Sequence, residues 1–191
     1  MSAKKGDKPT IISQDEEFGN IKLDKISTLR AAFKKDGTVT AANASKLNDG
    51  AAAMVVVSGK FAKEHSLEPL FKIRGYGDAA RDPVEFTIAP ADAVPRAVKN
   101  AGMTLKDVHY HEINEAFSVV ALANARLLDL DIAKVNAHGG AVALGHPIGC
   151  SGARIIGTLY GVLKASDAAV GCASICNGGG GASALIIERL L

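Results

Sequence analysis

Three short stretches hold the side chains best able to handle protons and charge: Asn114 in Asn114-Glu115-Ala116-Phe117, His146 in Gly145-His146-Pro147, and Cys176 in Cys176-Asn177-Gly178-Gly179-Gly180-Gly181. Histidine exchanges a proton near neutral pH or donates to a developing oxyanion. A tuned thiol serves as acid, base or nucleophile, and an asparagine can hold a water or polarise a carbonyl. Each residue also has a plainer reading. Asn114 at a strand-to-helix junction could simply cap the helix, and Glu115 in the first turn needs only the helix dipole. His146 could be an exposed loop histidine, although Gly139, Gly140, Gly145, Gly149 and Gly152 let the backbone of this loop approach a ligand and Pro147 stiffens it. Cys176 could be a small buried hydrophobe before a turn, the reading that suits Cys150 and Cys172. Four consecutive glycines are a costly way to build a plain turn, whereas amides exposed to an approaching substrate or anion make use of them. His146 follows Asn114 by 32 residues and Cys176 follows His146 by 30, each about one strand–helix unit. Three such ends can converge on one face of a sheet.

The elements that must position them alternate. Residues 1 to about 35 carry only apolar singles (Ile11, Ile12, Phe18, Ile21, Leu23, Ile26, Leu29, Phe33) and read as a segment lying across something else. From Thr38 onward the texture changes. Ala51 to Val57, ending in three valines, has the mark of a strand buried on both faces, and Leu70 to Gly75 is a second strand candidate, with a brief helical turn over Phe61 to His65 between them. Pro90 with Ala93, Val94, Ala97, Val98 and Ala101, stopped by Gly102, predicts a helix. Val108 to Ile113 predicts a strand, Glu115 to Leu130 a long helix, and Ser151 to Lys164 a helix opened by a serine cap. Ala168 to Ile175 and Ala182 to Ile187 predict an antiparallel pair joined by the glycine run. The expected fold class is therefore α/β, a layered αβα arrangement around a mixed five-stranded sheet.

Composition narrows the function classes. With 22 basic and 20 acidic residues in 191 the net charge is +2, and the longest basic runs are the pairs Lys4-Lys5 and Lys34-Lys35, so no footprint for nucleic acid exists. At 48% hydrophobic and 22% charged the chain is neither disordered nor a coiled coil. Three clustered cysteines without a secretory h-region argue for a reducing compartment, and the spacing of Cys172 and Cys176 lacks the second ligand pair of a structural zinc site. No apolar run reaches the roughly 18 residues of a membrane span. Met1 to Pro9 is short, polar and lysine-rich, unlike a signal or transit peptide. A soluble chain, with no membrane partner, is expected.

Taken in order, the three stretches resemble the C-terminal signature blocks of the thiolases, most closely the acetoacetyl-CoA thiolases (acetyl-CoA C-acetyltransferases). Thr38-Val39-Thr40-Ala41-Ala42-Asn43-Ala44-Ser45 followed by Asn48-Asp49-Gly50-Ala51-Ala52 is similar to a fourth block, and the resemblance runs from Asp15 to the end. It implies that Cys176 is the acid/base that deprotonates the acetyl-CoA methyl group and reprotonates the thiolate. It implies that His146 activates the acyl-accepting cysteine and forms, with a water held by Asn114, an oxyanion hole for the thioester enolate. The Gly178 amide would help form a second hole. Ser45 would lie against the pantetheine arm, and Asn20, Lys22 and Lys25 near the CoA nucleotide. The potassium-activated subgroup implies K⁺ held by carbonyls of Ala41, Ala42, Ala44 and Val142. No other cofactor is implied beyond coenzyme A thioester substrates.

The resemblance covers only the second of the family's two similar halves. Residues 1–36 are expected to be the end of the loop domain and 37–191 the C-terminal domain, with the nucleophilic cysteine in the N-terminal half and matched by neither Cys150 nor Cys172. Without that cysteine the covalent route is closed, so the chain alone is expected not to turn over acetoacetyl-CoA, and to pair with the missing half or self-associate as a homo-oligomer. A non-catalytic CoA-binding half is the alternative. A ketoacyl synthase-like condensing enzyme is a further one, but such enzymes place His or Asn where Cys176 stands. A cytoplasmic or mitochondrial compartment is expected.

Overall fold

A computed structural model describes residues 11, 13–15 and 19–190. The readings at Ile12, Phe18 and residues 1–9 lie outside the described residues. Four strands form one mixed sheet: β1 (Phe71–Ala80), β2 (Tyr110–Ile113), β3 (Val170–Cys176) and β4 (Gly181–Arg189), in the order β1-β4-β3-β2. β2 and β3 are parallel, whereas β3–β4 and β4–β1 are antiparallel. The expected antiparallel closing pair is present, and the parallel pair needs a helical crossover. The helices are α1 (Gly59–Glu64), α2 (Pro90–Asn100), α3 (Ser118–Leu127), α4 (Ala141–Leu144) and α5 (Ser151–Ala165).

The sheet is the middle layer. Cys172 and Cys176 of β3 and Ala184 and Ile186 of β4 share one core with Ala93, Val94, Ala97 and Val98 of α2 and Val120 and Ala121 of α3. On the opposite face Ala173 and Ile187 pack with Ile155, Leu159 and Leu163 of α5. Small residues set how closely these layers approach. A Cβ on Gly77 of β1 would lie 2.5 Å from Ala97 N and 2.9 Å from Ala93 O, so α2 rests its backbone directly on the strand.

The sheet has four strands and not five, because Ala51–Val57 is irregular. Val55 and Val56 are 92% and 72% exposed. Apolar, β-branched composition makes a segment suited to a strand, but a strand exists only where a neighbour accepts its backbone hydrogen bonds. No described strand lies beside this segment. The α5 face of the sheet is likewise covered by one helix only, leaving Ile73 exposed and Tyr76 at a shallow apolar cleft of about 260 Å³.

Two helix starts differ from expectation. The helix predicted from Glu115 begins at Ser118, after Phe117, because residues 116–118 are bridged to another segment: Ser45 N donates to Ala116 O (2.9 Å) and Ser118 N to Asn43 O (2.8 Å). It ends where Asp129 adopts φ 54° and Leu130 N turns back to Ala125 O (2.8 Å). Ser151 is the first residue inside α5 and not its cap; Cys150 holds that position without a side-chain bond.

β2 carries two buried titratable neighbours that point to opposite faces, as strand alternation demands. Burial depresses His111 to a pKa of about 4, and burial raises Glu112 to about 7 despite Arg154 at 3.9 Å. Each shift corresponds to about 3 kcal/mol. The signs oppose. His111 contributes stability that is complete above pH 6.5 and lost as pH falls through 4, whereas Glu112 contributes stability that is complete below pH 4.5 and lost as pH rises through 7. Relative to the parent chain, Glu112→Gln is therefore expected to make the urea midpoint climb with pH between 4.5 and 6.5, and His111→Phe to make it fall. Slopes of the same sign in both variants would refute this pairing.

Candidate active site at the carboxyl end of the sheet

β2 ends at Ile113, and Asn114 extends it by donating its backbone N–H to Ser174 O of β3 (2.9 Å). Asn114 is buried. Its Nδ2 lies 3.2 Å from His146 Nε2, so the structure joins two of the three sequence-predicted groups directly. Asn114 does not cap a helix. Its Oδ1 is buried with no partner among the described residues, leaving an acceptor at the site.

His146 is held from several sides. Its backbone N–H donates to Lys46 O (2.8 Å), and its Nδ1 lies 2.6 Å from Ser151 Oγ. The preceding glycine is required: Gly145 has φ 91°, and a Cβ there would collide with the Asn48 side chain. A Cβ on Gly50 would likewise lie 2.6 Å from Pro147 Cγ. Segment 45–50 thus packs along the His146 loop, and Ser45 itself is tied to Ala116. Burial, aided by the Arg154 charge, lowers the His146 pKa.

The glycine-rich loop before His146 is anchored by groups whose role the sequence did not disclose. Glu115 Oε2 accepts from Val142 N (3.2 Å), and Glu115 Oε1 accepts from Asn136 Nδ2 (3.1 Å). Asn136, at φ 49°, also donates to Ile113 O (2.9 Å) and accepts from Ile113 N (2.8 Å). A helix-dipole reading of Glu115 misses this. The one local signal for Asn136 is that asparagine tolerates the left-handed region ahead of Gly139 and Gly140.

Cys176 closes β3, buried, with its thiol pushed above the ordinary range by burial. No hydrogen bond joins it to His146 or Asn114 among the described residues; it occupies the end of the strand next to Asn114. In the following turn Asn177 N donates to Gly181 O, Gly179 N and Gly181 N to Asn177 Oδ1, and Gly180 N to Asn177 O. Gly178 N is the one amide of this turn without an acceptor among the described residues. The glycines divide by purpose: Gly180 takes φ 93° against Arg81 O, whereas Gly178 faces open space.

The remaining expected residues lie apart from this cluster. Asn20, Lys22 and Lys25 are exposed, with Lys25 N donating to Lys22 O (3.0 Å) in a 3₁₀ turn over Leu23–Thr28. Cys172 is buried with its pKa pushed up to about 12, and Cys150 is buried too. Among the described residues no group of three or more His, Cys, Asp or Glu could hold a metal ion, and no helix is long and apolar enough to cross a membrane.

The family model described as "Thiolase, C-terminal domain" matches residues 67–189, the stretch that carries the Asn114–His146 pair and the Cys176–Gly turn. That described as "Thiolase, N-terminal domain" matches residues 1–60. The chain belongs to the thiolase family. It is 58% identical over 184 residues to the cytosolic acetyl-CoA acetyltransferase ERG10 of Gibberella zeae, spanning 96% of this chain and 46% of that protein. It is 57% identical to acetyl-CoA acetyltransferase 1 of Arabidopsis thaliana, covering 98% of this chain and 46% of that one. Among solved structures, Acat5 thiolase from Ascaris suum in complex with coenzyme A superposes with a TM-score of 0.87 at 50% identity, covering 94% of this chain and 47% of that one. The Bacillus anthracis acetyl-CoA acetyltransferase superposes at 0.89 with 46% identity, covering 98% and 48%. The chain thus spans about half the length of the relatives it matches.

The double clamp on Ile113 is what holds the Asn114 end in place. Asn136→Ala removes partners from both backbone groups of Ile113 and from Glu115, and is expected to cost about 3 kcal/mol. Urea denaturation and amide exchange at Ile113 check this; a loss under about 1 kcal/mol would contradict the assignment.

Proposed function

We propose that this site carries out the proton-transfer chemistry of an acetyl-CoA C-acetyltransferase, the Claisen condensation of two acetyl-CoA to acetoacetyl-CoA or the reverse thiolysis. The observation that carries the reading is the Asn114–His146 pair beside Cys176 and the unused Gly178 amide. Cys176 takes the proton from the acetyl methyl group. The enolate oxygen that results is stabilised by His146 together with a water on the free Oδ1 of Asn114. The Gly178 N–H stabilises the second oxyanion. Ser45, tied beside the His146 loop, suits the pantetheine arm, and the exposed Lys22 and Lys25, with Asn20, suit the nucleotide phosphates.

The acyl-accepting thiol is neither Cys150 nor Cys172, both buried within this half. It belongs to the family's other half, which on this reading covers the exposed valines and the open face beside α5. The 191-residue chain by itself is accordingly expected to self-associate; a monodisperse monomer by light scattering would count against that cover.

On this reading a K⁺ ion would be held by the carbonyls of Ala41, Ala42, Ala44 and Val142. Asn43 closes the loop of the three alanines on Thr38 and Thr40, and no described hydrogen bond uses their three carbonyls. Ala44 bridges Phe117 and Val142 N donates to Glu115, so both residues are tied to the Asn114–Phe117 turn. Bound there, the ion would stiffen that turn.

The proton-abstraction half-reaction is separable from acyl transfer. In D₂O the chain is expected to exchange the methyl protons of acetyl-CoA, followed by NMR, and Cys176→Ala to abolish the exchange. Because burial raises the Cys176 pKa above 9.0, the thiolate base is the minor form at neutral pH and the rate should still be rising at pH 9. Coenzyme A binding without exchange at any pH would replace this reading with a non-catalytic CoA-binding half.

A further inference from the structure

Ser151 follows the His146 loop at the start of α5, fully buried, and spends its side chain away from helix capping. Its Oγ sits between two partners, Nδ1 of His146 at 2.6 Å and the carbonyl of Pro147 at 3.1 Å. A serine hydroxyl has one proton to give. On the far side of the imidazole, Asn114 Nδ2 approaches Nε2 to 3.2 Å, and an amide nitrogen can only donate. The orientation of these groups therefore runs one way: Asn114 Nδ2–H to Nε2, Nδ1–H to Ser151 Oγ, and Oγ–H to Pro147 O.

We propose that Ser151 is a positioning residue that fixes neutral His146 as the Nδ1–H tautomer and keeps the Nε2 lone pair turned toward Asn114. The fold makes this arrangement rigid. The Pro147 carbonyl is locked by accepting Cys150 N (2.8 Å) and Ser151 N (2.9 Å), so the acceptor for the hydroxyl cannot swing away. Its catalytic meaning rests on the function proposed above: an Nε2 lone pair can accept the proton of the acyl-accepting thiol, and the resulting Nε2–H can then donate to the enolate oxygen. The thiol's proton stays on Nε2 through acyl transfer and returns to the same sulfur when the product leaves it, while the departing coenzyme A thiolate takes its proton from Cys176, whose thiolate then takes the methyl proton. The opposite tautomer would present a proton where a base is required.

The test is the ¹⁵N spectrum of the His146 ring in the full 191-residue chain without substrate, near neutral pH, assigned by its absence in His146→Asn. The expected result is a protonated Nδ1 and an unprotonated Nε2. Ser151→Ala is expected to weaken this preference, with the Nε2–H form growing against the one remaining bias from Asn114 Nδ2, and Ser151→Thr to restore it. A wild-type ring protonated at Nε2, or a Ser151→Ala ring with the tautomer unchanged, overturns the proposal. If Ser151→Ala does not fold, the wild-type spectrum decides alone. No turnover enters this measurement, so a failed methyl-exchange assay with the Nδ1–H tautomer intact overturns the functional reading and not this one.

Discussion

One carboxamide holds the site to the sheet. Asn136 satisfies both backbone polar groups of Ile113 and reaches Glu115 with its remaining donor, at the point where β2 runs out of ladder. A strand end is where backbone groups lose their partners, and a buried unpaired one is costly. By meeting that need from a loop, Asn136 makes the end of β2 and the start of the 139–146 loop a single rigid body. Glu115 extends it by taking Val142 N, so the loop that carries His146 is referenced to the same strand end as Asn114. The Asn114–His146 separation is thus a property of the sheet and not of a free loop. Side chains that must be placed within a fraction of an ångström need such support.

The sheet in turn depends on thinness. Gly75 and Gly77 bring α2 onto β1 backbone to backbone, and the core between the sheet and α2–α3 is largely alanine and valine. Such a core has little side-chain volume in which to absorb polar residues, yet β2 buries His111 and Glu112 as neighbours. The strand tolerates them because burial favours the neutral form of each: His111 loses its proton above a pH of about 4, and Glu112 keeps its own up to about 7, with Arg154 3.9 Å away to meet the carboxylate beyond that. Neither then carries an isolated charge into the apolar layers.

The alternation of strands and helices, the closing antiparallel pair and the positions of Asn114, His146 and Cys176 were legible in the residues, because period and turn chemistry are local. What was not legible depended on partners distant in the chain. Ala51–Val57 reads as a buried strand by composition, but nothing in a segment states whether a neighbour exists to pair with it. Glu115 and Ser151 each sit where a helix-terminus role suffices, and only the folded arrangement shows Glu115 holding Val142 and Ser151 holding His146. The glycine run was half explained: Gly180 serves the chain, with φ 93° against Arg81, and Gly178 leaves its amide unspent.

The raised pKa of Cys176 bears on the direction of its chemistry. Burial keeps the thiol protonated at neutral pH, which lowers the fraction of thiolate available as a base. The same desolvation makes each thiolate that does form a stronger base, and the proton to be taken from a thioester methyl group is held far more tightly than that of any thiol. For a nucleophile the balance would be poor, since nucleophiles are served by a depressed pKa. A group that must pull a proton from carbon and later return one to a leaving thiolate gains base strength from a raised pKa and loses acid strength by the same amount. On the proposed chemistry the burial of Cys176 therefore favours its base step over its acid step, and it separates this cysteine from the activated thiol that must accept the acyl group.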